Sequence, residues 1–180
     1  FKEGDGLNLA ICLNSVDQLC LFANNGRFYS ILAHKLPSGR GFGEPLSLIF
    51  EDISDNDILF LSAFENQKVL LVSSDGRGFI ANLKEAISIR KSGKQILNLK
   101  RSCKAIACLP LDGDMLAIVG ENRKMLILNL NDIPELNKGQ GVILQRYKSG
   151  QCSDAKIINS NEGLIWSQGK ERTRTEKDLT

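Results

Sequence analysis

The 180-residue sequence has one histidine (His34), one tryptophan (Trp166) and two tyrosines (Tyr29 and Tyr147). Its five cysteines, Cys12, Cys20, Cys103, Cys108 and Cys152, include no C-x-x-C pair. Zinc sites are built from clustered Cys and His, so this scarcity argues against one. Buried, reduced thiols in a cytosolic protein are the plainer account. His34 sits between Ala33 and Lys35 with no G-x-S-x-G or cysteine partner signature, and it reads as an ordinary strand-end residue. The acids of EDISDND, Glu51 to Asp57, lack the glycine and spacing of an EF-hand loop. They read as a solvated turn. No apolar run approaches the ~18 residues of a membrane span. The opening FKEGDGLNLA lacks a basic-then-apolar leader pattern and begins at Phe1, so the sequence reads as a fragment of a longer chain.

The net charge is only +2, too small by itself to argue for nucleic acid. Its distribution says more. Six acids and no Lys or Arg lie between Glu44 and Asn66, whereas eight bases and one acid lie between Gly76 and Lys104. Segregation of this kind builds a basic surface on an otherwise balanced domain. The competing account is scattered solvated charge on strand edges, where Lys also guards against aggregation.

What the sequence does have is repetition. LCLFANNGRFYSI from Leu19, VLLVSSDGRGFIA from Val69 and LAIVGENRKMLIL from Leu116 share one form. Each is an apolar run, a polar turn, a basic residue and a second apolar run. A weaker copy, LIWSQGKERTRT, starts at Leu164. The aligned bases are Arg27, Arg77, Lys124 and Arg172, at steps of 50, 47 and 48 residues. Asp75-Gly76 is a hairpin signal because glycine takes φ > 0 freely. Apolar runs on both sides make Gly76-Arg77-Gly78 a hairpin tip and not a nucleotide loop.

The second halves of the units agree. SGRGFG, RKSGK and NKGQG follow the hairpins and precede PLSLIF, QILNLK and VILQRY. A last run follows: DILFLSA, AIACLPL or DAKII. Four β segments per unit of 47–50 residues predict an all-β, propeller-like fold of roughly three to four four-stranded blades. The repeats run approximately over 7–56, 57–103, 104–153 and a partial 154–180, within one domain spanning 1–180. LNLAICL from Leu7 is a further strand candidate, LKEAISIRK from Leu83 a connection, and Trp166 a packed residue. Such repeats bury their apolar faces only against one another.

The chain lacks the Gly-His and Trp-Asp marks of WD40 blades and the paired glycines of kelch. FANNGRFYSI, LPSGRGFGEP, LLVSSDGRGFI, SGKQILNLK, AIVGENRKMLIL, KGQGVILQRYKSGQCSDAK and GLIWSQGKERTRT closely resemble the C-terminal β-pinwheel domain of bacterial type IIA topoisomerase A subunits. Within that family they look most like the A subunit of topoisomerase IV of the alphaproteobacterial type. The resemblance implies four-stranded blades that exchange hairpins, and an outer rim of Lys and Arg that contacts duplex DNA. Gyrase also carries a glycine- and arginine-rich box for tight wrapping. Gly39-Arg40-Gly41-Phe42-Gly43 and Lys138-Gly139-Gln140-Gly141 are the nearest candidates here, and neither is the full box. That favours topoisomerase IV over gyrase.

Residues expected to meet phosphate are the hairpin bases Arg27, Arg77, Lys124 and Arg172. The connection bases Arg40, Arg90, Lys91, Lys94 and Lys138 join them, with Arg146 and Lys148 around Tyr147. Phosphate contacts position a duplex without reading its sequence. The resemblance implies a non-catalytic module that captures and bends DNA for an ATP-hydrolysing topoisomerase. The DNA-cleaving tyrosine and the ATP and Mg2+ sites would then lie in other parts of the enzyme. Those parts would also engage the topoisomerase IV B subunit, together with a second A subunit. No cofactor is expected in this piece, and its setting would be the bacterial cytoplasm, at the nucleoid. The alternatives are a gyrase wrapping domain, or a propeller-type module whose basic face meets an acidic protein.

Overall fold

A computed structural model describes residues 6–37, 39, 43–53, 56–88, 90–168 and 172–178. Strands β1 (Gln18–Ala23) and β2 (Arg27–Leu32) form the first hairpin, and β3 (Ile58–Ala63) returns to pair with β1. Strands β4 (Lys68–Ser73) and β5 (Arg77–Asn82) form the second hairpin. The next strand, β6 (Lys94–Gln95), leaves its own repeat and pairs with Arg27 and Phe28 of the first hairpin. Then β7 (Ala105–Pro110) returns to β4.

The third repeat copies the second. Its hairpin is β8 (Met115–Gly120) and β9 (Met125–Asn129), β10 (Val142–Ile143) crosses back to β5, and β11 (Cys152–Ile158) pairs with β8. The fourth hairpin is β12 (Leu164–Gln168) with β13 (Arg172–Glu176). The sheets therefore run β3-β1-β2-β6, β7-β4-β5-β10, β11-β8-β9 and β12-β13. Each complete blade is three strands of one repeat closed by a two-residue strand of the next. Because β7 touches both β3 and β11, the returning strands gather at the hub, and the exchanged strands lie outermost.

Strict alternation along the hairpins explains the stacking. Side chains of a strand point to opposite faces. Cys20 and Phe22 of β1 meet Val69 and Leu71 of β4 in one core. The other face of β4, Leu70 and Val72, meets Leu116 and Ile118 of β8 in the next. Ala117 then meets Leu164 of the fourth hairpin. One strand thus feeds two interblade cores, so a one-residue slip would exchange both sets at once.

Several expectations are corrected. Leu7–Leu13 forms no strand and is largely exposed. PLSLIF gives a 3-10 turn, Leu46–Leu48, instead of a strand. No earlier hairpin among the described residues offers it an edge, and Phe50 and Ile53 pack on Leu19, Leu21 and Tyr29 of their own blade. QILNLK and VILQRY give two-residue strands, because the backbone then turns across a neighbouring hairpin tip: Ile96 and Leu97 both donate to the Gly26 carbonyl. The exchange is therefore made by short single strands, not by hairpins. Trp166 is 39% exposed, on a hairpin that among the described residues forms a two-stranded sheet.

All five cysteines are unpaired; Cys20, Cys108 and Cys152 are buried, while Cys12 is exposed. Burial pushes the Cys20 thiol up to about 12 and holds Cys108 well above the ordinary range. Both stay protonated at neutral pH and act as small core residues. Among the described residues no helix is long and apolar enough to cross a membrane.

Candidate nucleic-acid interface

The hairpin tips are three-residue turns. Gly26 and Gly76 donate to Ala23 and Ser73 and take φ of +78° and +74°. The strand arriving from the next repeat passes directly over each tip. The Gly76 carbonyl accepts from Leu144 at 2.8 Å and Gln145 at 3.2 Å, as the Gly26 carbonyl accepts from Ile96 and Leu97. A Cβ on Gly26 would lie 2.3 Å from the Leu97 carbonyl oxygen, and one on Gly76 would lie 2.3 Å from that of Gln145. Glycine is favoured by the turn and required by the crossing.

The arginines that follow these glycines hold the crossing chain. Arg27 Nη1 donates to the Ser92 carbonyl at 2.8 Å, and Arg77 Nη1 donates to the Gly141 carbonyl at 3.1 Å. Both acceptors lie just before an exchanged strand. Arg77 is further pinned by Asp75, whose Oδ2 is 3.6 Å from its Nε and 2.9 Å from Lys100 Nζ. That oxygen lacks an aligned hydrogen bond, so its two cations hold it as an ion pair. The Ser73 hydroxyl donates to Asp75 Oδ1 at 2.5 Å.

Burial alone would raise the Asp75 carboxyl; Ser73, Lys100 and Arg77 outweigh it and hold the group below the usual carboxylate range. A depressed carboxylate stabilises the fold above its unfolded value, about pH 4, and that contribution is lost as pH falls through the native value. Asp75→Asn is therefore expected to cost about 1–3 kcal/mol at pH 7 and to flatten the fall in stability below pH 4. Thermal unfolding of both proteins between pH 7 and pH 2 checks this; parallel curves would refute it.

The remaining bases stand on the outside. Arg90 and Lys91 are exposed in the turn before β6, and Lys94 is half-exposed, its ammonium on the Glu85 carbonyl. Lys138 is exposed beside Gly139, which exchanges backbone bonds with Ile96 and Asn98. Lys124 is exposed at the third tip. Arg146 and Lys148 are exposed on either side of Tyr147, whose ring packs into the core between the second and third blades. The Gln145 side chain donates to the Lys124 carbonyl at 3.4 Å, which brings this segment to the third tip. Arg40 lies outside the described residues, and of Arg172 only the backbone is described.

Three cations of the same edge were missed in the sequence. Arg101 and Lys104 are exposed on the segment joining the first and second tips, where Lys104 exchanges bonds with Ser74. Arg123 is exposed beside Lys124. The signal for Arg101 and Lys104 was the run of bases ending at Lys104. Arg123 was hidden because alignment on one base per hairpin left its neighbour uncounted.

A stack of hairpins, tied blade to blade by exchanged strands and edged with recurring cations, defines a propeller-like repeat domain with a basic rim. More particularly, the chain belongs to the DNA gyrase C-terminal domain, beta-propeller family, whose model matches residues 17–60, 67–101 and 114–151. Each matched block opens one residue before a hairpin. The chain is similar to the A subunit of DNA topoisomerase 4 of Rickettsia prowazekii, at 40% identity over 99% of this chain and 24% of that protein. The corresponding protein of Caulobacter vibrioides is 38% identical over 97% of this chain and 23% of its own length. The chain thus spans about a quarter of the length of these curated relatives. The E. coli ParC C-terminal domain superposes with a TM-score of 0.85 at 23% identity, covering 99% of this chain and 77% of that one. At that identity the likeness is one of fold.

Proposed function

We propose that this chain is the non-catalytic DNA-binding domain of a topoisomerase IV A subunit, and that it holds and bends a duplex along its outer rim. The observation that carries the proposal is recurrence: exposed bases return on equivalent connections, Arg101 and Lys104 between the first two tips, Arg146 and Lys148 between the next two. A row of this kind suits a ligand with evenly repeated negative charge. Each phosphate neutralised releases condensed counterions, so affinity comes mainly from charge. Bending a site of about 20–30 bp costs on the order of 1–6 kcal/mol, which several such contacts offset. Arg27, Arg77, Arg40 and Arg172 belong to the same set, the first two with the added work of holding the exchanged strands.

In the whole enzyme, strand cleavage, Mg2+ and ATP use would fall to other domains and to the B subunit, with a second A subunit completing the assembly in the cytoplasm. The domain would decide which duplex segments reach that machinery. The incomplete glycine-arginine boxes favour this over tight gyrase-type wrapping. The test is binding to an unrelated ~40-bp duplex at two salt concentrations. Affinity is expected to fall steeply with salt, with a log–log slope of about −0.9 per phosphate contact, and to vary little with sequence. Absence of binding at low salt would overturn the proposal and favour an acidic protein partner.

A further inference from the structure

The third hairpin departs from the first two at the place where an exchanged strand would cross it. Arg123 donates to Gly120 just as Gly26 and Gly76 donate to Ala23 and Ser73, so it occupies the glycine position. Its φ is +61°, the same left-handed region. At the first two tips the crossing backbone leaves no room for a Cβ, the obstruction being a carbonyl oxygen and not a movable side chain. The latch is changed as well: Lys124 replaces Arg27 and Arg77, and a lysine lacks the planar fork that reaches a carbonyl on the incoming chain.

We infer that the third blade does not take a strand from the following repeat along the path used by the first two, and that the disc is jointed there. The fourth hairpin is held by Leu164 against Ala117 and Ile158. A cavity of about 320 Å3 opens in this joint, lined by Met125, Ile165 and Trp166 among others. Those three side chains are exposed. The inference stands apart from DNA binding. It gives the rim one place where its curvature can change while the first three blades stay locked.

Deuterium exchange tests it in the full-length protein, which supplies whatever strand follows. Amides of β9 that face away from β8 are expected to exchange about tenfold or more faster than their counterparts in β2 and β5. Arg123→Gly should slow β9 selectively, leaving β4 and β5 unchanged, because it restores the room for a crossing strand. The converse variant, Gly76→Arg in the same protein, should release residues 142–145 to rapid exchange. Equal protection of β9 and β5 would overturn the inference. So would fast exchange in β9 that Arg123→Gly leaves unaltered, or a Gly76→Arg protein in which 142–145 remain protected.

Discussion

Gly76→Ala is expected to break the lock between the second and third blades and to cost about 2–5 kcal/mol. Two terms add. Alanine held at φ of +74° suffers about 1–2 kcal/mol of left-handed strain. Its methyl would also lie 2.3 Å from the Gln145 carbonyl oxygen and 2.6 Å from the Tyr147 ring, and overpacking of that kind costs about 1–3 kcal/mol. The crossing chain has little freedom to retreat, since Leu144 and Gln145 both donate to the Gly76 carbonyl and Arg77 holds Gly141. Retreat would therefore surrender hydrogen bonds as well as contacts. Against a typical total of about 5–15 kcal/mol, the variant should unfold at a much lower denaturant midpoint. Gly39→Ala is the control, because a Cβ there meets nothing within 4 Å. Equal midpoints for the two variants would refute the crossing as the reason for the glycine.

The second large effect concerns the rim. Reversing Lys124, Arg146 and Lys148 together to Glu is expected to weaken duplex binding by at least about a hundredfold near 0.1 M salt. Each lost phosphate contact should also flatten the log–log salt slope by about 0.9. The three residues share one neighbourhood, set by the Gln145 bond to the Lys124 carbonyl. None of them supports the fold through a salt bridge found among the described residues. Affinity should therefore fall without loss of stability. Lys156→Glu, on the hub-side strand β11, should change neither. A triple variant that binds with unchanged slope would move the duplex off this edge.

The contrast with Arg77 shows what could be read in the sequence. Alternation and the recurrence of Arg27, Arg77 and Lys124 were enough to predict hairpins, blades and a basic edge, because strand periodicity and turn chemistry are local. The partner of each strand was not legible. A two-residue strand such as β6 carries no periodic signal, and its pairing with β2 joins Arg27 to Gln95, 68 residues further along the chain. The work of the arginines was hidden for the same reason: their acceptors, Ser92 and Gly141, belong to other repeats. PLSLIF looked as strand-like as QILNLK. What separates them is whether a hairpin edge lies within reach, which composition does not encode.

The folded-back segment of the first repeat has a consequence for how copies of the molecule meet. A chain in which every unit lends a strand to the unit before it resembles a row of hooks and eyes. Offered between molecules, such a scheme would join head to tail without limit, because a heterologous contact that does not close makes filaments. Here the first hook is tucked in. Its Phe50 and Ile53 lie buried against its own blade, and Leu46–Leu48 is wound as a 3-10 turn that presents no strand. A turn wound this way has no extended edge to lend, so in this form the connection, unlike β6 and β10, adds no strand to a neighbouring sheet.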